Sequence, residues 1–395
     1  MPHYTYLIVG GGMTADAAVR GIREIDLKGS VGLIGGEAHP PYRRPPLSKK
    51  LWQGKPLDTI WCMTESLDIG LHLECRALAL DLPGKRVTDD QGMVYTFDKL
   101  LLATGGTPRR FSFGGDDIVY FRSLDDYRRL RSSAGENRRF AVIGGGFIGS
   151  EIAAALAMNH QEVVMLFPEP GIGARIFPED LSQYLNGYYA DKGIEIHAGQ
   201  EVTDLKKQDG RLLLSVRNVQ TAAETTISVD AVVAGIGIDP ATELARQAGL
   251  PVDNGIVVDA FLNAGHPDVY AAGDVANFHN PELDARIRVE HEDNALTMGR
   301  RAGHNMAGES EPYHHLPYFY SDLFDLGYEA IGQLDARMEI MADWVEPYRK
   351  GVLYYLRDRR VRGVLLWNVW ERIEAARTLI AEPGPFEGKD LKGRL

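Results

Sequence analysis

The chain is poor in cysteine and has no long apolar run, and each shortage excludes a class of protein. Its 395 residues include two cysteines, Cys62 and Cys75, in no metal-ligand spacing, so we expect free thiols in a reducing compartment. No apolar stretch approaches the length of a membrane span. The formal net charge of −12 argues against a general binder of nucleic acid or anionic membranes. Residues 1–4 lead straight into the first predicted strand, so we expect no targeting peptide and a cytoplasmic protein.

What the chain does contain is a glycine-rich turn near its start. Leu7-Ile8-Val9 is predicted to be a buried strand, and the spacing Gly10-x-Gly12-x-x-Ala15 turns the chain into a helix that should run to about Ile25. Such a turn lets a pyrophosphate approach the backbone where a Cβ would collide, and the helix N-terminus offers N–H groups to the anion. On its own, the motif could also be a tight turn without a ligand.

A second copy of the motif removes most of that ambiguity. Residues 140–151 repeat the strand, the glycine turn and the helix, with Gly144, Gly146 and Gly149 in the full GxGxxG spacing. Two dinucleotide loops in one chain imply two dinucleotides, and the usual reason to hold two is to pass a hydride from one to the other. The sequence therefore predicts an oxidoreductase.

Each loop is followed by a second predicted strand that ends in an acidic residue, Glu37 after the first and Glu169 after the second. Such a carboxylate accepts hydrogen bonds from ribose hydroxyls, and at the second site it would repel a 2′-phosphate. Glu169 therefore favours NADH over NADPH. Arg175 lies close enough in the sequence to weaken that preference.

Other predicted loops follow strands, where ligands bind in doubly wound sheets. Residues 40–49 form a stiff proline-rich loop whose Arg44 and Lys49 could hold a pyrophosphate or an electron-rich ring, or could be a solvated basic surface. The predicted strands 94–97 and 100–103 end in a glycine break at 104–108. A further strand over 269–274 ends in a Gly-Asp corner, and an acid there can bind ribityl hydroxyls.

The repeat also predicts the domain organisation of an α/β fold with two Rossmann-like dinucleotide-binding domains. Residues 109–236 form the second nucleotide domain, inserted into a discontinuous first domain of residues 1–108 and 237–314. Residues 315–395 are typical of an antiparallel α+β module, which could pair subunits or cover a site. We expect strands over 255–259, 328–332, 338–341, 351–356 and 361–367, a helix over 371–380, and a loosely held tail from Pro383.

Seven motifs spread over nearly the whole chain resemble the ferredoxin-reductase and apoptosis-inducing-factor branch of the two-dinucleotide flavoproteins. They are Arg44-Pro-Pro-Leu-Ser-Lys49, Ala103-Thr-Gly-Gly-Thr-Pro-Arg109, Phe121-Arg-Ser-Leu124, Leu166-Phe-Pro-Glu169, Ala272-Gly-Asp274, Arg288-Val-Glu-His291 and Leu366-Trp-Asn368. Residues 144–151 and 328–332 are more similar to the apoptosis-inducing factors. The resemblance implies FAD on the first loop, NADH on the second and a C-terminal domain over the flavin.

The resemblance also implies which residues contact each dinucleotide. For FAD they are Gly10, Gly12, Met13, Thr14, Ala15, Glu37, Arg44, Lys49, Ala77, Thr104, Gly105, Arg122, Gly273, Asp274, His291, Glu292 and Tyr320. For NADH they are Gly144, Gly146, Phe147, Ile148, Gly149, Glu169, Arg175, Gly237 and Glu290, with Glu329 and Asn368 as further candidates. In this family a lysine and a glutamate pair beside the reactive edge of the flavin, and Lys49 and Glu151 hold those positions. Phe147 would stack between flavin and nicotinamide and move aside to admit the ring.

Three departures from the apoptosis-inducing factors limit what the resemblance implies. Tyr320 stands where they have a tryptophan near the flavin, and Glu292 replaces a histidine. Their long regulatory insertion is absent between Leu334 and Val352, and so is a net positive charge. Nuclear targeting and DNA binding are therefore not expected.

Metal and thiol chemistry are weakly supported. His304, His314 and His315 have no cysteine or carboxylate cluster beside them in the sequence. Flavin-dependent disulfide reductases carry a closely spaced cysteine pair, which Cys62 and Cys75 do not form.

We therefore expect hydride transfer from NADH to FAD, followed by single-electron release to a separate acceptor, most plausibly a ferredoxin-type iron–sulfur protein. A quinone or oxygen remains an alternative acceptor. The competing hypothesis, of another class, is a redox-sensing module whose long-lived reduced flavin–NAD complex changes its dimerisation.

Overall fold

The computed structural model describes residues 1–136 and 138–395, which divide into two compact units. The first unit comprises Met1–Arg43, Asp58–Thr107 and Asp239–Phe319, and the second comprises Arg44–Leu57, Pro108–Ile238 and Tyr320–Leu395. Each unit contains one of the two glycine loops. The finer division into three domains, with limits at 108, 236 and 314, stays a prediction.

The first unit is built on a sheet whose central strands are parallel. His3–Val9 pairs in parallel with Val31–Ile34 on one side and with Val94–Leu102 on the other, so the first glycine loop leaves the middle of the sheet. Leu7 and Ile8 are fully buried, as expected for a parallel strand covered on both faces. Across the sheet the order is Asn263–His266, Val269–Ala271, Val94–Leu102, His3–Val9, Val31–Ile34 and Gly70–His72. Arg86–Asp89 also pairs with Val94–Leu102, and Ala77–Asp81 pairs with Arg86–Asp89.

Two helices of the first unit, Met13–Ile25 and Glu292–Met306, pack at close range. A Cβ at Gly299 would lie 2.5 Å from the carbonyl oxygen of Thr14, so glycine permits this approach. The unit is completed by the helix Glu243–Gln247, the 3-10 helices Leu57–Ile60, Thr64–Leu67 and Gly273–Val275, and a small sheet of Ile256–Val257, Ala276–Asn280 and Ala285–Ile287.

The second unit contains a five-stranded parallel sheet that carries the second glycine loop. Arg139–Ile143 lies between Glu162–Phe167 and Ala231–Ala234, and the helix Phe147–Met158 follows its loop. The strand order is Ile194–Ala198, Glu162–Phe167, Arg139–Ile143, Ala231–Ala234 and Ile118–Tyr120. The other elements before residue 238 are the helices Leu124–Ser133 and Glu179–Asp191, the 3-10 helices Pro45–Ser48 and Gly115–Asp117, and the antiparallel strands Gln200–Gln208, Arg211–Asn218 and Glu224–Val229.

The C-terminal part of the second unit is the antiparallel α+β module that the sequence predicts. Its strand order is Tyr318–Leu323, Leu326–Gly332, Arg360–Trp367, Lys350–Arg357 and Glu339–Glu346, followed in the chain by the helices Ile373–Ala381 and Gly388–Leu391. Short strands, Gly106–Pro108 and Ile238–Pro240, lie where the chain passes from one unit to the other. Every helix of the described residues is too short or too polar to cross a lipid bilayer.

Three local predictions are wrong. The strands expected over 94–97 and 100–103 are one strand, Val94–Leu102, because its pairing with His3–Val9 runs from Thr96 to Leu102, past the polar residues Asp98 and Lys99. The strand expected over 255–259 is limited to Ile256–Val257. The tail is not loosely held, since Leu391 is fully buried and the Phe386 N–H donates to the Arg359 carbonyl oxygen at 2.8 Å.

Arg23 connects the end of the helix Met13–Ile25 to two loops of the first unit. Its guanidinium donates to the carbonyl oxygens of Leu67 at 3.0 Å, Asp68 at 2.9 Å, Gly29 at 2.8 Å and Asp26 at 3.2 Å. A lysine ammonium cannot reproduce this planar fork of donors.

We therefore expect Arg23→Lys to lower the free energy of unfolding by about 1 to 2 kcal/mol, because partly buried carbonyl groups lose charged donors. Urea denaturation followed by circular dichroism measures the change. The matched control is Arg300→Lys, whose side chain is 60% exposed and pairs with Glu24, and this variant should lose less than about 0.5 kcal/mol. Equal losses of unfolding free energy in the two variants would contradict this stabilising role of the Arg23 guanidinium.

Candidate functional site

The first glycine loop has the shape that a pyrophosphate requires. Gly10 ends the first strand with a φ of +129°, and a Cβ there would collide with the Ala103 carbonyl oxygen. A Cβ on Gly12, by contrast, would meet no described atom within 4 Å. Open space therefore borders the start of the helix Met13–Ile25, whose first N–H groups have no partner within the helix. Both features fit the binding of a phosphate group there.

The predicted Gly-Asp corner lies beside this helix start. A Cβ at Gly273 would collide with the Thr14 hydroxyl, so the corner holding Asp274 touches the first loop. Arg288 donates to the Asp274 carbonyl oxygen at 3.1 Å and to the Glu290 carboxylate at 2.8 Å. The structure thus brings Thr14 next to Gly273 and Asp274, which lie far from it in the sequence, in an arrangement that fits a flavin dinucleotide.

The other predicted residues of the first unit make contacts of their own. Glu37 accepts a hydrogen bond of 2.5 Å from the Tyr42 hydroxyl, a partner that sequence analysis missed. The Thr104 hydroxyl donates to the Ala241 carbonyl oxygen at 2.7 Å, and the Ala241 N–H donates to the Gly105 carbonyl oxygen at 3.0 Å. These two hydrogen bonds join the glycine break at residues 104–108 to Ala241. Ala77, placed by sequence as a backbone contact, lies at the start of the strand Ala77–Asp81.

His291 and Glu292 lie at the start of the helix Glu292–Met306. The His291 imidazole stacks on the Phe319 ring with centroids 4.4 Å apart, and no sequence pattern pointed to Phe319. Burial lowers the pKa of His291 to about 4, although the Asp274 and Asp293 carboxylates oppose this shift. The imidazole is therefore neutral at pH 7. Glu292 pairs with Arg43 at 3.4 Å.

The second glycine loop repeats the geometry of the first. Gly144 has a φ of +115°, and a Cβ there would collide with the Gly235 carbonyl oxygen. Gly149 packs against Gly144, again with no room for a Cβ. A Cβ on Gly146 would meet no atom of residues 1–136 and 138–395 within 4 Å, apart from its own chain neighbours. The start of the helix Phe147–Met158 is thus open to a second dinucleotide.

Glu169, the acidic residue that follows the strand Glu162–Phe167, forms an ion pair with Arg175. Arg175 donates to one Glu169 oxygen from Nε at 3.0 Å and from Nη2 at 2.7 Å, while its own side chain is 80% exposed. Gly237, with a φ of +98°, accepts a hydrogen bond of 3.0 Å from the Arg109 N–H. The structure therefore brings Glu169 and Arg175 together, as the sequence anticipated.

Lys49 and Glu151 form a buried ion pair. The Lys49 ammonium lies 2.5 Å from Glu151 Oε1, and the two side chains are 8% and 5% exposed. The Tyr320 ring centroid lies 5.2 Å from the ammonium nitrogen, close enough for a cation–π contact. Two buried serines, Ser48 and Ser321, also donate to the Glu151 carboxylate, and sequence analysis missed both.

The segment Arg44–Leu57 is held in place around this pair. The 3-10 helix Pro45–Ser48 leads directly to Lys49, and the buried Trp52 indole donates to the Leu47 carbonyl oxygen at 2.8 Å. Arg44 donates to the Arg122 carbonyl oxygen at 3.0 Å, so two predicted FAD contacts touch each other. Trp52 packs edge-on against Tyr127, with ring centroids 5.7 Å apart.

The remaining predicted NADH contacts differ in their surroundings. Phe147 and Ile148, at the start of the second loop's helix, are 39% and 37% exposed. One carboxylate oxygen of Glu329 is buried without a hydrogen-bond partner in the described part of the chain, and burial raises the pKa of Glu329. The Asn368 side chain instead bonds the Gly327 N–H and the Arg349 carbonyl oxygen at 2.8 and 2.9 Å. Glu329 is thus the better suited of the two to accept a donor from a ligand.

Thiol and metal chemistry find no support. Cys62 and Cys75 are unpaired thiols, and burial raises the pKa of Cys62 to about 12 and also raises that of Cys75, so neither is a thiolate at pH 7. His304 bonds Glu24 and Glu309, and His315 bonds Asp293. In the described ranges, no three His, Cys, Asp or Glu residues are grouped as metal ligands.

Comparison with known proteins identifies the family. A family model described as pyridine nucleotide-disulphide oxidoreductase matches residues 4–299. The chain belongs to this family. A second model, described as the C-terminal part of the mitochondrion-associated apoptosis-inducing factor, matches residues 302–347 and 341–382. The resemblance inferred from the motifs is confirmed, and so is the Rossmann-like α/β fold.

Relatives and solved structures extend this result over the whole chain. Apoptosis-inducing factor 1, mitochondrial, of Dictyostelium discoideum is 32% identical over 97% of this chain and 79% of its own length. A 5,5'-dehydrodivanillate O-demethylase ferredoxin reductase subunit of Sphingobium sp. strain SYK-6 is 33% identical over 97% of this chain and 94% of its own. The structure of a covalent putidaredoxin reductase–putidaredoxin complex has a chain with a TM-score of 0.89 and 27% identity, covering 98% of this chain and 95% of that one.

These matches establish the protein as an FAD-dependent NAD(P)H oxidoreductase that uses FAD and NAD(H). The residue assignments within the two sites stay predictions, although the open glycine loops fit both dinucleotides.

The two open glycines offer a test of which loop holds which dinucleotide. Gly12→Ala should leave the chain folded, since no described atom obstructs a Cβ, but should weaken FAD binding about tenfold by filling the space beside the helix start. Gly146→Ala should keep its FAD and weaken NADH binding by a similar factor. Flavin absorbance after dialysis and NADH titration measure the two effects.

Gly187→Ala is the matched control, because that glycine lies in the helix Glu179–Asp191 with open space around it. It should change neither affinity. Loss of NADH binding in Gly12→Ala with FAD retained would reverse the assignment of the loops.

The depressed pKa of His291 predicts acid sensitivity. Because the folded-state pKa of about 4 lies below the ordinary value of 6.5, the unfolded chain binds the proton more readily below pH 6.5. Stability should therefore fall by about 2 kcal/mol between pH 7 and pH 5 from this group. Urea denaturation at both pH values should show a weaker pH dependence in His291→Gln. His279→Gln, at a half-exposed ring, should keep the dependence of the natural protein.

Proposed function

We propose that this protein oxidises NADH and delivers the electrons singly to a separate ferredoxin-type iron–sulfur protein. The observation that carries the proposal is the 33% identity to a ferredoxin reductase subunit over almost the full length of both chains. The likeness to a putidaredoxin reductase captured in a complex with putidaredoxin supports the same class of acceptor.

The cysteine content supports a separate acceptor. The chain has two cysteines, whereas an iron–sulfur cluster needs four ligands that are mostly thiolates. A disulfide mechanism would need a reactive cysteine pair, and burial keeps Cys62 protonated with a pKa of about 12. Electrons that reach the flavin must therefore leave to another molecule, for which a quinone or oxygen is the alternative to a ferredoxin.

The chain's own residues supply binding and charge. FAD, when bound, accepts the hydride of NADH and releases electrons one at a time. We assign the phosphates of the two dinucleotides to the helix starts beyond Gly12 and Gly146. Lys49 supplies a buried positive charge that favours electron-rich flavin, and Glu151 offsets that charge in part. We expect the side chain of Phe147, which lies at the open start of its helix, to move aside when the nicotinamide binds.

We propose that NADH is preferred to NADPH. The Glu169 carboxylate stands at the position from which ribose hydroxyls are recognised, and its negative charge would repel a 2′-phosphate. Arg175 already bonds Glu169 at 2.7 Å, so the carboxylate partly neutralises the positive charge of Arg175. The free thiols are compatible with a cytoplasmic location, which we also propose.

The test is electron transfer measured with a panel of acceptors. Purified holoenzyme is reduced with NADH in a stopped-flow instrument and mixed with a [2Fe–2S] ferredoxin, a quinone or oxygenated buffer. We expect the ferredoxin to reoxidise the flavin at least ten times faster than the other two, and NADPH to reduce it more slowly than NADH. Preference for the quinone or oxygen would overturn the ferredoxin assignment.

A redox sensor is the second candidate, favoured by the match of residues 302–347 and 341–382 to the C-terminal part of apoptosis-inducing factor. In that case the reduced protein would persist in air as a long-wavelength charge-transfer species. Size-exclusion chromatography with and without NADH would then show a change between monomer and dimer. Rapid reoxidation by ferredoxin without a change in size would exclude this candidate.

A further inference from the structure

The Glu151 carboxylate accepts three hydrogen bonds in a buried setting. Lys49 Nζ and Ser321 Oγ donate to Oε1 at 2.5 and 2.6 Å, and Ser48 Oγ donates to Oε2 at 2.6 Å. Ser48 is 5% exposed, Ser321 is 1% exposed and Glu151 is 5% exposed. The ion pair is therefore a four-residue cluster from which solvent is nearly excluded.

The direction of each hydrogen bond follows from the groups present. An ionised carboxylate only accepts, so both hydroxyls must donate their hydrogens to Glu151. Ser48 Oγ also lies 3.4 Å from the Pro45 carbonyl oxygen, but its contact with Glu151 is 0.8 Å shorter and is to a charged acceptor. The two serines thus share in stabilising the negative charge that would otherwise be offset by Lys49 alone.

Donors from two separate segments converge on the carboxylate. Ser48 ends the 3-10 helix Pro45–Ser48 and precedes Lys49, Glu151 lies in the helix Phe147–Met158, and Ser321 lies in the strand Tyr318–Leu323. Since Ser48 and Lys49 reach Glu151 from one segment and Ser321 reaches it from another, the carboxylate is held in one orientation. That orientation presents Oε1 to the lysine and keeps the ammonium beside the Tyr320 ring.

We propose that Ser48 and Ser321 are positioning residues that tune the flavin through this pair. By bonding Glu151 they reduce its pull on Lys49 and leave more of the lysine's positive charge to act on the electron-rich reduced flavin. The inference rests on the proposed role of Lys49 and Glu151.

The test is a double-mutant cycle read out by the flavin midpoint potential of the holoenzyme at pH 8. Ser48→Ala and Ser321→Ala are made in the natural sequence and in the Glu151→Gln background. In the natural sequence each should lower the equilibrium constant for two-electron reduction by about three- to tenfold, tenfold being about 30 mV for such a couple. In Glu151→Gln each should have little effect, because there is no carboxylate charge left to share.

Matched controls separate tuning from simple loss of packing. Ser182, 1% exposed, donates to the Ile172 carbonyl oxygen at 2.8 Å in the same unit. Ser182→Ala should lower the melting temperature without changing the potential. Ser321→Thr retains a hydroxyl and should restore most of the potential lost in Ser321→Ala. Flavin content and melting temperature of every variant confirm that it is folded.

The outcomes distinguish this inference from the function on which it rests. Lys49→Met should alter the potential if the pair acts on the flavin. If it does so while neither serine variant changes the potential, or if the serine effects are equal in both backgrounds, the positioning role is wrong and the proposed function stands. An unchanged potential in Lys49→Met would overturn both the role of the pair and this inference.

Discussion

Two backbone contacts that admit only glycine determine where both dinucleotide loops lie. Gly10 packs against the Ala103 carbonyl and Gly144 against the Gly235 carbonyl, each with a positive φ and no space for a Cβ. In both units the residue just after a neighbouring strand thus contacts the glycine loop. This contact sets the direction of the helix that follows the loop. The next glycines, Gly12 and Gly146, then border open space at a helix start. The same steric rule, applied twice, leaves two open helix starts in one chain, and each fits the binding of an anion.

Within the second unit, Lys49 and Glu151 form a buried ion pair. Removing Lys49 and Glu151 from water costs several kcal/mol per ion, which the ion pair recovers only when the remaining acceptor positions are also bonded. Ser48 and Ser321 supply those bonds. A buried ion pair of this kind is weak evidence for stability, because an apolar pair of similar volume would often fold as well.

The family name includes disulphide chemistry, yet this chain carries the architecture without the thiols for it. Its two cysteines are protonated at pH 7, since burial raises the pKa of both, and neither has a partner cysteine in the described residues. The fold therefore serves as a frame for two dinucleotides, and the nature of the final acceptor is decided by residues outside that frame. The similarity to both a ferredoxin reductase subunit and an apoptosis-inducing factor illustrates the point.

The sequence by itself determined the two loops, their helices and the parallel strands that carry them, because the constraints are local: a glycine spacing of a few residues, an apolar run and a helix start. It could not foresee Ser321 or Phe319, since the Ser321–Glu151 bond joins residues 170 positions apart and leaves no periodic pattern. It also divided the strand Val94–Leu102 at Asp98-Lys99, where pairing with the strand His3–Val9 overrides local preference. Tertiary structure alone decided these points, because long-range packing and hydrogen bonding, rather than neighbours in the chain, determine which polar groups are buried together.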